Sequence, residues 1–179
     1  MGYVMALLDS KSKQTATHQN TQLYLLFSLG IDRYALNVHE VIEVTHVRPL
    51  KQLLGVPTWV AGLLNYRRQM VPILDLAART GLGCARDKTS TRIVIVEYQR
   101  AGDIYAPVYL LGLILEQATD TLRCLPEDFH DYGVDHAESP YLGAVLQHEQ
   151  GLIQRITISS LLPPEVHQRL FVDGDSGNE

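Results

Sequence analysis

A chain of 179 residues with 46% hydrophobic and 20% charged side chains is long enough to bury a core, and short enough to form one domain or two small ones. Its formal net charge of −5 and sequence pI of about 5.8 argue against a nucleic-acid binder, which carries a basic surface to neutralise phosphates. Cys84 and Cys124 are too few for a disulfide framework and too far apart for a CxxC pair or a zinc knuckle, so free, buried or half-buried thiols in a reducing cytoplasm are expected.

The run Gly2 to Leu8 is apolar but has no basic flank and is too short for a signal-peptide core or a membrane span. Ala6 stands where a myristoylation signal wants Ser or Thr. A later apolar run, Ala106 to Leu115, is broken by Pro107 and Gly112, so the chain is expected to be cytoplasmic. Asp9 to Gln22 is almost wholly polar and cannot offset its ordering entropy by burial, so residues 1–22 are expected to form a flexible arm.

Leu23 to Leu29 and Arg33 to Val38 then read as strands across a turn at Gly30-Ile31-Asp32. In Val41 to Val47, alternation puts Val41, Glu43, Thr45 and Val47 on one face and Ile42, Val44 and His46 on the other, with partial burial expected of both. After the Gly55-Val56-Pro57 loop, Thr58-Trp59-Val60 suits a helical turn and Gly62 to Tyr66 a strand. Arg67-Arg68-Gln69 reads as a hairpin tip, with Met70 to Asp75 as the return strand. Pro72, lacking an N–H, belongs at an edge or bulge. Leu76 to Thr80 suits a short helix closed by Gly81.

The β pattern resumes at Arg92 to Tyr98, followed by separate strands over Ile104 to Leu115 and Glu116 to Leu125. Pro126 to Pro140, acidic and rich in His and Asp, is expected to be an exposed connection. Tyr141 to Gln147 and Leu152 to Ile158 form a last hairpin, and a helix opened by Pro163-Pro164 reaches Phe171, with residues 172–179 as a frayed tail. Many short strands with few and short helices predict an all-β barrel or sandwich.

Catalytic signatures are missing: there is no Gly-x-Ser-x-Gly elbow, P-loop, His-Glu-x-x-His or dinucleotide fingerprint. His39 and His46, an odd number apart, would point to opposite faces of a strand, and His130 and His136 lie among carboxylates without metal-ligand spacing. No cofactor, no metal and no enzymatic activity are expected.

Tyr34 to Val44 resembles the CheW-like pattern of an apolar strand followed by a Val-x-Glu-Val step. Val60-Ala61-Gly62-Leu63-Leu64-Asn65-Tyr66-Arg67, followed by Val71-Pro72-Ile73-Leu74-Asp75-Leu76, is similar to that family's Gly-Leu-x-Asn-x-Arg hairpin and Pro-Ile-x-Asp-Leu return strand. The resemblance extends from about Leu23 to Leu162 and departs at Glu116, where the family usually has Asp, and at Arg68, where it usually has Gly. Arg68 therefore implies an altered turn or a longer tip.

The resemblance implies a single CheW-like domain over residues 23–171, made of two SH3-like β-barrels. It also implies a non-catalytic adaptor between a chemoreceptor's cytoplasmic tip and the regulatory domain of a CheA-type histidine kinase. By motif position, Val41 and Glu43 fall on the receptor-contact strand and Arg67 beside it, while Glu43 and Arg67 could instead pair with each other. Trp59 is either core or a binding anchor. Gly62 is expected to permit close backbone approach and Asn65 to cap a turn. Arg68, Glu116 and the long 126–140 segment make the chain look like an auxiliary adaptor of an alternative chemosensory system, such as a Wsp-type array. The alternative reading is a small-ligand or metal-binding β-barrel protein.

Overall fold

In a computed structural model the chain is described over residues 20–85, 88–133 and 136–171. Most of the expected arm and the tail 172–179 lie outside these residues. The strands are β1 (Gln22–Leu29), β2 (Asp32–Asn37), β3 (Val41–His46), β4 (Val60–Tyr66), β5 (Gln69–Asp75), β6 (Arg92–Gln99), β7 (Val108–Cys124), β8 (Phe129–His130), β9 (Leu142–His148) and β10 (Gly151–Ile156). The helices are short, α1 (Leu76–Arg79) and α2 (Pro164–Leu170). The all-β expectation with short helices holds.

One strand joins two halves. The first part of β7 pairs antiparallel with β6 and parallel with β5, and its second part pairs with β1. The first half runs β3-β6-β7-β5-β4, and the second continues through β1, β2, β10, β9 and β8. Lys51 exchanges backbone hydrogen bonds of 2.9 and 2.8 Å with Leu63, so the segment after β3 folds back onto β4 and curls the first half toward closure.

The expected break between Leu115 and Glu116 is instead a 17-residue strand with an irregularity. Gln117 takes φ 52° there, and Ser28 Oγ donates to Gln117 Oε1 at 2.8 Å. Such bulges sharpen strand twist, which lets one strand leave one sheet and enter another. Pro72 sits just before the parallel pairing with β7 begins at Ile73, so its missing N–H removes no ladder bond there.

Strands β1, β6 and the first part of β7 are buried on both faces. Leu25, Phe27, Leu29, Val94, Val96, Leu111 and Leu113 point into a core shared by the two halves. Their neighbours turn away: Tyr24 and Leu26 pack with Phe129 and Ile153, while Ile93 and Ile95 pack with Leu64 and Ile73. Each such side chain contributes about 1.5–3 kcal/mol on full burial. The segment 126–140 is not wholly an exposed connection, because Phe129 is 7% exposed and packs against Tyr24 with ring centroids 5.0 Å apart. Cys84 is exposed rather than buried, and Cys124 is half-buried.

Candidate functional site

The residues singled out from the sequence lie on β3, on the β4–β5 hairpin and in the turn that leads into it. Hairpin pairing closes at Tyr66 and Gln69, so the tip is Arg67-Arg68 alone and Gln69 belongs to β5. Arg67 has φ 50° and Arg68 φ 67°. Positive φ at both central residues defines the mirror-image turn whose twist matches that of the flanking strands, which is why Asn-Gly or Gly-Gly normally fills it. The tip is thus neither longer nor differently closed: Arg68 keeps the left-handed conformation that a glycine would hold at less steric cost.

On β3 the half-buried residues are Val41, Glu43 and Thr45, and the exposed ones are Ile42, Val44 and His46. Partial burial of both faces is therefore corrected. Val41 packs against the shared core, whereas Ile42 and Val44 are 41% and 43% exposed. β3 is an edge strand with a register shift between Val41 and Glu43, and nothing among the described residues covers that outer face. Met70, 48% exposed, lies on β5 beside the hairpin tip.

Glu43 and Arg67 meet. Arg67 Nη2 donates to Glu43 Oε2 at 3.0 Å, Tyr66 O–H donates to the same oxygen at 2.7 Å, and the guanidinium stands 4.9 Å from the Tyr66 ring centroid. The Tyr66 hydroxyl, with help from Arg67, holds the Glu43 carboxyl below the usual glutamate range despite some desolvation, and burial with the bond to Glu43 pushes the Tyr66 phenol up. Arg67 remains 72% exposed in its side chain, so the pair orients groups at the surface more than it stabilises the fold.

Gly62 has φ 146°, and a Cβ there would lie 2.5 Å from the Lys51 carbonyl oxygen, so close backbone approach is its role. Asn65 does not cap the turn: it is exposed on β4 and its side chain makes no hydrogen bond among the described residues. Trp59 is half-buried against the shared core, and its carbonyl accepts from Asp75 N at 2.8 Å. Its ring faces the Arg79 guanidinium at 4.7 Å.

Asp75, given no role from the sequence, is 7% exposed and joins two segments. Its carboxylate accepts from Ala78 N at 3.1 Å, capping α1, and from Ala85 N at 2.8 Å. The Pro-Ile-x-Asp-Leu order was the signal, since an Asp between a strand and a helix suits an N-cap. Glu116 pairs with Lys88 Nζ at 2.9 Å.

A profile of the CheW-like domain matches residues 23–165. Protein PilI of Pseudomonas aeruginosa is 29% identical over 140 residues, spanning 69% of this chain and 74% of that protein. The chemotaxis protein CheW of Bacillus subtilis is 23% identical over 161 residues, spanning 89% and 98%. The crystal structure of the scaffolding protein TtCheW from Thermoanaerobacter tengcongensis superposes with a TM-score of 0.70 at 21% identity, covering 83% of this chain and 92% of that one. That likeness supports the two-barrel architecture. By the extent of the profile match, the chain belongs to the CheW-like domain family.

Proposed function

We infer that the chain is a non-catalytic cytoplasmic adaptor that couples a methyl-accepting chemoreceptor to a CheA-type histidine kinase, with β3 and the β4–β5 hairpin forming its receptor-docking surface. Family membership over residues 23–165 supports the coupling role. Among the described residues, no helix is long and apolar enough to cross a membrane.

The observation that carries the docking surface is the exposed Ile42 and Val44 strip on an edge strand, whose other face carries Glu43 in its pair with Arg67 of the hairpin tip. Apolar area supplies association energy, and a flanking charge pair supplies orientation and rejects wrong partners. Val41, Glu43 and Arg67 keep a part in this reading, but Val41 acts by backing the strand. Left-handed backbone at Arg67 and Arg68, where the tip reaches Glu43 of β3, fits a functional tip. With receptor and kinase held on one rigid body, a small receptor shift biases a two-state kinase.

The test is a pull-down of the purified chain with a receptor cytoplasmic fragment and, separately, with the kinase regulatory domain. Binding to both is expected, each through an interface of roughly 800 Å² per partner if stable. Binding to neither rejects the adaptor role.

A further inference from the structure

Arg79, the last residue of α1, is held between two aromatic rings, with its guanidinium 4.7 Å from the Trp59 centroid and 4.9 Å from that of Tyr141. Its Nε is buried without a hydrogen-bond partner, and no carboxylate or carbonyl among the described residues accepts from its terminal nitrogens. An arginine fixed by stacking has lost much of its side-chain freedom before any ligand arrives, and its planar fork matches the geometry of a carboxylate or phosphate.

This arginine lines a cleft of about 410 Å³ between α1, the loop after β6 and the segment leading into α2. Arg100, exposed on that loop, adds a second positive charge, while Ser159 and Ser160 bring hydroxyl groups to the wall. The loop is tied down where it borders the cleft, because Ala101 N donates to the Ser159 carbonyl at 3.1 Å. Leu162 and Pro163 make an apolar side. Glu138 also lines the cleft and opposes an anion, but it forms no ion pair with either arginine. The local balance is positive in a chain whose formal net charge is −5.

We propose that this cleft binds the oxyanion of an organic acid, a carboxylate or phosphate ester carried on an apolar body. The oxyanion meets the Arg79 fork with Arg100 and the serine hydroxyls around it, and the body lies against the Leu162 side. The volume falls in the range of about 300–1,000 Å³ typical of small-ligand clefts and exceeds what an inorganic ion alone would fill. The site lies apart from the β3 strip, so the proposal does not rest on the receptor-docking reading.

Trp59 is the chain's single tryptophan, and its contact with Arg79 makes its fluorescence a direct reporter. The experiment titrates the full chain with benzoate and with phenyl phosphate at constant ionic strength, using chloride as control. A saturable change in emission with the organic anions and none with chloride is expected. Arg79→Gln should weaken binding by about tenfold or more, Arg100→Gln by a few-fold, and Glu138→Gln should strengthen it. Arg100 and Glu138 are exposed, so those variants read the site even if Arg79→Gln unfolds.

Repeating the pull-downs with benzoate present distinguishes the sources. Competition assigns the oxyanion to an acidic side chain of a protein partner, and simultaneous binding assigns it to a free small molecule; both sustain the site. A response that chloride reproduces, or wild-type affinity in both Arg100→Gln and Glu138→Gln, overturns the proposal.

Discussion

Two arginines of this chain lie on aromatic rings, and they differ in what answers their charge. Arg67, at the hairpin tip, stands over Tyr66 and donates to Glu43. Arg79, at the end of α1, is gripped by Trp59 and Tyr141 and donates to no acceptor among the described residues. The first region is electrically complete at a protruding edge, which suits a surface that orients a partner. The second is a concave site with an unanswered charge, which suits capture of an anion. Similar stacking thus suits two different uses, and the presence of a carboxylate partner separates them.

The sharpest way to break the first region is at its backbone. Gly62→Ala places a methyl group against the Lys51 carbonyl in a conformation that alanine avoids, and should destabilise the chain by about 2–4 kcal/mol in denaturant unfolding. The tip would lose its β4 support as a consequence. A variant that unfolds like the wild type would mean that Lys51 can move away from β4 without loss.

A smaller stability effect with a larger functional one is expected of Arg67→Glu. It sets like charges beside Glu43, so receptor binding should weaken by about tenfold or more while thermal stability and kinase docking change little. Loss of folding in that variant would make Arg67 structural. Arg68→Gly, by contrast, relieves a left-handed non-glycine residue and should stabilise by about 1 kcal/mol, raising Tm by about 2–4 °C.

Charge completion in the first region also predicts a pH signature. The Glu43 carboxyl is depressed in the folded chain relative to its ordinary value of 4.5. Its contribution is therefore fully present above pH 4.5 and is lost as pH falls below that value through the lower folded pKa. Acid titration of stability should show the wild type losing more than Glu43→Gln across that window. Glu40 behaves oppositely: burial raises its carboxyl pKa, partly offset by Arg155. The charged form is the disfavoured one, so Glu40→Gln should stabilise the chain slightly at neutral pH and not below pH 4.5.

The hairpin was legible in Gly62, which permits a close approach, and in the polar tip between two strand-like runs, whereas the cap at Asp75 was carried by its place between strand and helix but not read. The Glu43–Arg67 pairing was legible only as an option, since sequence does not show that β3 and the tip come within 3.0 Å. The exposed face of β3 was hidden. Strict alternation treated its apolar residues as equivalent, but an edge position with a register shift half-buries Val41 and leaves Ile42 and Val44 exposed. In the first part of β7, burial on both faces removed the alternating signal, and a bulge at Gln117 looks in sequence like an ordinary polar break. Phe129 escaped notice because its neighbours are polar, although one aromatic residue facing Tyr24 suffices to seat a short strand. The Arg79 cleft draws on Trp59, Arg79, Arg100, Tyr141 and Ser159, which are scattered through the chain and carry no local pattern.

The most direct test of the adaptor account is to mix the chain with a receptor cytoplasmic fragment and the kinase regulatory domain and to follow all three by size-exclusion chromatography. The account predicts a ternary complex that Arg67→Glu reduces to chain and kinase domain alone. Mutually exclusive binding of receptor and kinase would contradict it, because a coupler must hold both at once.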